Sequence, residues 1–310
     1  MRVFLAGGTG VIGRCLVPQL VAVGHEVTAT TRRVDKAELL RELGATPAVL
    51  DALDAEAVMT AVTAARPDAI MNQLTELPPR YEPRKLGPWY ERTSRLRVDG
   101  TRFLLAAARA AGARRFIYQS IAFMYRMEGP SVLTEDGAIA FDAPEPFGSA
   151  VRATVEGERL ALHTPDIEGV VLRYGQLYGP GTYYSREGYF ASEARRRRLP
   201  VVGKGSGVMS FVHVQDAASA AVCALTRGRG VYNIVDDDPA PASDCIPAFA
   251  EAVGAPHRWR IPFWVVSLLV GKWVASGLTD LRGASNARAK TELGWQPRYP
   301  SWRQGFAEAI

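Results

Sequence analysis

The chain has 310 residues, 47% of them hydrophobic and 22% charged, with a net charge of +5. That is enough for one large α/β domain with an added lobe, or for two domains, and it excludes a disordered or low-complexity protein. The mild positive charge favours an anionic ligand but lacks the wide basic clustering that nucleic acid requires. Three scattered cysteines, Cys15, Cys223 and Cys245, exclude a disulfide framework and a CxxC metal site, so no metal is expected and the compartment is a reducing one. With a strand starting at Arg2 there is no room for a signal peptide, and a cytoplasmic protein is expected.

In chain order, VFLAG reads as a buried strand, Gly10 to Val23 as a helix, EVTATT as a strand and Lys36 to Gly44 as a helix. TPAVL, DAIMNQ, RFIYQS and GVVLRY continue the strands, separated by helices over Ala55–Ala65, Thr93–Gly112 and Phe147–His163. Short, almost wholly apolar strands alternating with amphipathic helices mean a parallel sheet covered on both faces. After Gly179 the pattern breaks into Gly- and Pro-rich loops and helices with one returning strand, VYNIV. The expected fold is therefore α/β: a Rossmann-type doubly wound parallel sheet in residues 1–179, with 211–236 returning to it. A smaller substrate lobe is expected from 180–210 and 237–310. The apolar stretch Phe263–Leu278 is shorter than the roughly 20 residues of a membrane span and is interrupted by Lys272. It is expected as a helix buried in that lobe, with no membrane partner.

AGGTGVIG, residues 6–13, joins the first strand to the first helix. Gly7 permits the tight turn, Gly10 lets backbone approach a pyrophosphate, and Gly13 allows close helix–strand packing. Thr9, Val11 and Ile12 complete a loop whose helix N-terminus offers free N–H groups to phosphates. The second strand ends in Thr31, Arg32 and Arg33, where an NAD site would carry an acid for the ribose 2′-hydroxyl. An acid repels a 2′-phosphate and a guanidinium grips it, so the cofactor expected is NADP (NADPH), with Arg14 adding to the grip. Asp51 either accepts from the adenine amino group or serves the cap of the next helix. Leu74, at the end of the fourth strand, is placed with the cofactor.

Several further motifs appear in order: RVDGTRFLLAAARAAGARRFIY, LRYGQLYGPG, FVHVQDAASA and YNIVDD. With AGGTGVIG they make the chain resemble the extended short-chain dehydrogenase/reductase family, which includes sugar-nucleotide epimerases, dehydratases and ketoreductases. The resemblance covers nearly the whole length. It implies that the backbone of Tyr174 to Gln176 borders the nicotinamide.

The chain departs from the family pattern where the family does its proton chemistry. Aligned on Tyr125, the family's catalytic Ser or Thr falls on Ile121, with Ser120 one residue earlier. The YxxxK pair falls on Phe147 and Val151, and Arg97 replaces an Asn. Phe147 cannot donate a proton and Val151 cannot hold a charge. Candidates for an alternative donor are Ser120, Tyr125 and Tyr81, the last in the proline-punctuated insert 76–94, which reads as a loop standing over the site. Thr75, Gln119, Ile121, Phe147 and Tyr90 are expected to border a small-molecule substrate. Glu76 also closes the fourth strand, and His213 reads as structural. Arg195 to Arg198 reads as a solvated helix end. The leading expectation is an NADP-dependent reductase of a ketone or enone. A non-catalytic NADP-binding sensor and a sugar-nucleotide epimerase or dehydratase stand as alternatives, and a homodimer is left open.

Overall fold

The computed structural model of the protein describes all residues except 79, 81–85 and 256–258. Tyr81 therefore lies outside the described residues. Seven parallel strands form one sheet in the order β12-β7-β5-β4-β1-β2-β3. They are β1 (Arg2–Ala6), β2 (Glu26–Thr31), β3 (Thr46–Val49), β4 (Ala69–Asn72), β5 (Arg115–Ile121), β7 (Glu168–Tyr174) and β12 (Gly230–Ile234). The connecting helices are α1 (Val11–Ala22), α2 (Ala37–Glu42), α3 (Ala55–Ala65), α4 (Leu86–Arg95), α5 (Thr101–Ala111), α6 (Phe147–His163) and α8 (Val214–Cys223). Successive side chains of a strand face opposite ways, and both sets are apolar here. Val3, Leu5, Ile117 and Leu172 pack with α1 and α8. Phe4, Ile70, Phe116 and Tyr118 pack with α3 and α5 on the other face.

A third core joins Tyr178, Tyr184, Phe211, Phe249, Trp302 and Phe306. It brings together α7 (Tyr189–Arg195), α9 (Ala242–Ala252) and α12 (Trp302–Ala309). Four short strand pairs tie this region together: β6 (Val132–Leu133) with β15 (Gly283–Ala284), β8 (Gln176–Tyr178) with β11 (Phe211–His213), β9 (Val201–Val202) with β14 (Arg260–Ile261), and β10 (Val208–Met209) with β13 (Ala240–Pro241).

Two local expectations need correction. The apolar stretch 263–278 is neither one helix nor buried. It forms α10 (Phe263–Val270) and α11 (Lys272–Thr279), broken at Gly271, whose φ of +89° favours glycine. Trp264, Leu268 and Leu269 are exposed, while Val266 and Ala275 are the residues turned inward. The insert 76–94 is likewise not all loop, because its second half is α4. Pro88 is tolerated there because it lies in the first helical turn, where amides have no intrahelical partner. A π-helical turn over Leu96–Gly100 then joins α4 to α5. Among the described residues no helix is long and apolar enough to cross a membrane.

Candidate functional site

The site gathers at the carboxyl ends of the central strands. Gly7 turns at φ +95°, and a Cβ there would lie 2.7 Å from the Gln73 carbonyl oxygen. A Cβ on Gly13 would lie 2.3 Å from the Gly7 carbonyl oxygen, which only glycine avoids. Gly10 is different: it is exposed, and its nearest obstacle is the Gly7 oxygen at 3.3 Å. The loop is thus packed on its inner side and open on its outer side, the shape that admits a pyrophosphate. Thr30 fixes it, with its hydroxyl accepting from Gly7 N–H at 3.0 Å and its carbonyl from Gly8 N–H at 3.1 Å. Val11, Ile12 and Gly13 carry the first-turn amides of α1, and Thr9 sits partly exposed above Thr31.

Beside this loop lies a charge cluster that spacing alone does not reveal. Arg32 is exposed at the end of β2 and pairs with Glu76 at 3.1 Å. Arg92 of α4 donates to Glu76 and, at 2.8 Å, to Asp51. Asp51 also accepts from Leu53 N–H at 3.0 Å. Burial works against the charged Asp51, but Leu53 N–H and Arg92 outweigh it and hold the carboxyl below its usual range. The cap of α3 belongs to Asp54, not Asp51. Arg33 pairs locally with Asp35 at 2.5 Å. Arg14 does not join this group: its guanidinium lies against Gly181, beyond β8. Leu74 is partly buried, its backbone N–H held by Asn72 at 3.1 Å.

At the end of β5 the polar groups turn inward. Ser120 is fully buried and donates to Glu158 of α6 at 2.5 Å. Glu158 accepts two bonds from Arg173, at 2.8 and 2.7 Å. Arg173 also donates to Tyr125 at 3.0 Å, and Tyr125 donates to Asn233 at 2.7 Å. Burial pushes the Tyr125 phenol up, away from easy ionisation. Burial opposes the charge on Arg173, but Glu158 more than restores it. Ser120 and Tyr125 are therefore parts of one buried network, not groups presented to the crevice. Arg97 is buried as well and donates to Thr154.

Half-buried beside this network is an aromatic cluster. Phe147, the first residue of α6, has its ring 4.7 Å from Trp273 of α11 and 6.5 Å, edge-on, from Tyr90 of α4. Val151, one turn on, is fully buried. Thr75, Gln119 and Ile121 are partly exposed at the neighbouring strand ends, as is Gln176. Tyr174 is buried 3.5 Å from Gln73 Nε2, and its carbonyl accepts from Ala122 N–H at 2.8 Å. Sequence reasoning missed Trp273, Arg92 and the Glu158–Arg173 pair. Only the pair left a signal, a charge within the apolar strand GVVLRY. Among the described residues no His, Cys, Asp and Glu side chains cluster as a metal site.

A glycine turn opening a parallel sheet, and a strand order that leaves a crevice at its carboxyl edge, define the class of dinucleotide-binding folds. The chain belongs to the NAD dependent epimerase/dehydratase family, whose model matches residues 3–235. It is 46% identical over 309 residues to a 3-diazoavenalumate denitrifying reductase from a Streptomyces species, covering 99% of both chains. It is 29% identical over 269 residues to 2-alkyl-3-oxoalkanoate reductase of Stenotrophomonas maltophilia, covering 83% of this chain and 77% of the relative. In fold it resembles UDP-glucose 4-epimerase of Thermotoga maritima, solved with UDP-glucose, at a TM-score of 0.78 and 21% identity, over 100% of this chain and 97% of that one. Human epimerase family protein SDR39U1, solved with NADPH, superposes at 0.75 with 22% identity, over 100% and 99%.

Proposed function

We propose that the protein is an NADPH-dependent reductase that replaces the diazo group of an aromatic acid with hydrogen. The observation that carries this reading is Phe147: the position where the resemblance expects a proton donor holds a phenyl ring packed between Trp273 and Tyr90. Ketone reduction leaves an alkoxide that needs a proton, which a general acid supplies. Reductive loss of nitrogen needs none. Hydride adds its electron pair to form the new C–H bond, dinitrogen leaves with the C–N pair, and NADPH becomes NADP⁺. The charges balance, because a diazonium cation and a hydride give a neutral arene and N₂. The relative at 46% identity is named for a diazo substrate, reduction and loss of nitrogen, which supports this choice.

The roles of the chain's residues follow. The Gly7–Gly13 loop and α1 amides hold the pyrophosphate, with Arg14 near it across from Gly181. Arg32, with Arg33, takes the 2′-phosphate, and Asp51 borders the adenine while Arg92 holds it in place. A reduced nicotinamide, when bound beside Tyr174–Gln176, supplies the hydride. Phe147, Trp273 and Tyr90 offer faces and edges to a planar ring and suit a cationic diazonium as well. Gln119, Ile121 and Thr75 border the same space, closed by a substrate lobe from 180–210 and 237–310. The work belongs in the reducing cytoplasm.

The test uses NADPH deuterated at the transferable position with an ortho-diazophenol bearing a carboxylate. Expected are N₂ release and a product with one deuterium on the carbon that carried the diazo group. Reduction to an amine or hydrazine, or an unlabelled product, would overturn the reading. Ketone or enone reduction is the second reading, favoured by the partly exposed amide of Gln119, which suits a carbonyl, and by the oxoalkanoate reductase relative. The substitution Phe147→Tyr separates the two. It should raise ketone reduction by up to the roughly 10²–10⁴-fold that a general acid contributes and leave nitrogen release nearly unchanged.

A further inference from the structure

A small cavity lies by the ends of β5 and β7 and the start of β8, lined by Ala122, Phe123, Gly175, Gln176, Ser210 and Arg282. Arg282 is held on a fixed backbone. Its neighbour Leu281 accepts from Val208 N–H at 2.8 Å, and Gly283 N–H donates to Ser131 at 2.8 Å. Ala284 N–H donates to Ser210 Oγ at 2.9 Å, and β15 pairs with β6. The side chain is the exception in this tightly bonded setting. Its Nε is shut away from solvent and, among the described residues, has no hydrogen-bond partner.

By contrast, the guanidinium groups of Arg115 and Arg173, both buried, are well satisfied. Arg115 donates to Ala224, Arg227, Gly228 and Glu168, and Arg173 to Glu158, Tyr125 and Glu135. A shielded donor left unpaired costs about 1–3 kcal/mol, more when it is charged. A ligand that brings its own acceptor removes that cost. We propose that Arg282 binds the substrate's carboxylate, making the protein selective for aromatic acids over their neutral derivatives. A carboxylate matches the planar guanidinium fork with two charge-assisted bonds. The geometry also orients the substrate. Trp273 of α11 lies against Phe147, and Arg282 follows three residues after the end of the same helix. One segment thus supplies an aromatic wall beside Phe147 and a cation beside Gln176.

The inference rests on the reductase reading for its substrate, so the experiment reads binding and turnover separately. With NADP⁺-saturated protein, cinnamate and methyl cinnamate serve as unreactive probes, titrated against wild type, Arg282→Met and Arg282→Lys. Wild type should prefer the acid by roughly 10–100-fold, the range expected of hydrogen bonds to charged groups. Arg282→Met should erase the preference while leaving ester and NADPH affinity unchanged, and Arg282→Lys should keep part of it. Equal binding of acid and ester by wild type would overturn the inference, as would an equal loss for both in Arg282→Met. If the preference behaves as stated but no N₂ is released from the diazo acid, the reductase reading fails and the carboxylate site stands. If N₂ is released equally well by wild type and Arg282→Met at limiting diazo acid, the carboxylate site fails and the reductase reading stands.

Discussion

The ends of β1 and β2 and the end of β5 lie on the same edge of one sheet, yet they use polar residues in opposite ways. At the first, Arg32 and Gly10 are exposed to the crevice and the groups behind them, Thr30 and Asp54, do the structural bonding. At the second, Ser120, Glu158, Arg173 and Tyr125 are all turned into the protein, and Phe147 is left half-buried against Trp273. The first arrangement suits an anionic ligand that must be gripped and released. The second suits a reaction that needs a shaped, apolar surface more than it needs a proton. A polar residue near a crevice is thus informative only once its partners are known.

The largest expected effect comes from breaking the inward-turned network. Glu158 and Arg173 are 4% and 6% exposed and pair twice. Glu158→Gln would leave a buried guanidinium without its counter-charge, a loss of about 3–5 kcal/mol in unfolding free energy by urea titration. Glu158→Leu with Arg173→Met should recover most of it, because an apolar pair of similar volume removes both charges. If Glu158→Gln were nearly neutral, the network would be solvated and Ser120 would return as a candidate donor.

The outward-turned end predicts the reverse: little change in stability and a large change in binding. Arg32→Ala should weaken NADPH by roughly 10–100-fold, as for a lost hydrogen bond to a charged group, and should hardly affect NADH. Glu76→Gln should act the other way. Glu76 competes with a 2′-phosphate for Arg32, so its neutralisation should tighten NADPH by a few-fold, the scale of a part-exposed ion pair. Fluorescence titration of both coenzymes checks each variant. Equal weakening of NADPH and NADH in Arg32→Ala would remove the 2′-phosphate from that position.

How legible these two ends were differs for physical reasons. Most of the seven strands are short runs rich in apolar residues, and the glycine turn carries its own steric logic at Gly7 and Gly13, so that half could be read locally. The α6 boundaries, Phe147 to His163, were legible for the same reason. The aromatic wall was not. Trp273 reaches Phe147 from far along the chain, and periodicity says that a face is apolar without saying what covers it. Arg92 was hidden likewise, because its partners Asp51 and Glu76 lie on other strand ends. The break at Gly271 was overlooked because the apolar residues on either side look continuous, yet a glycine before Lys272 was the available signal.

A third strand end repeats the inward pattern, and its effect appears only as pH is varied. Asp236 follows β12 and is 1% exposed. One carboxyl oxygen accepts from Asp238 N–H at 3.3 Å, and the other has no partner among the described residues. Burial, reinforced by Asp238 and Asp237 and only partly opposed by the Asp238 and Trp302 N–H groups, pushes this carboxyl up to about 8. In the unfolded chain it titrates near the ordinary value of roughly 3.9. Between those two pH values the folded protein therefore holds a proton that the unfolded chain has released. Stability must fall as pH rises through that window and then level off above it. Asp236→Asn keeps the shape and removes the titration. Its melting temperature should match wild type near pH 4 and exceed it increasingly up to pH 8–9, by roughly 2–4 °C for each kcal/mol recovered. A difference that stayed flat across that range would mean that Asp236 is ionised in the folded protein. The inward-turned strand ends would then tolerate a charge without a counter-ion, and the contrast with β1 and β2 would rest on the Glu158–Arg173 pair alone.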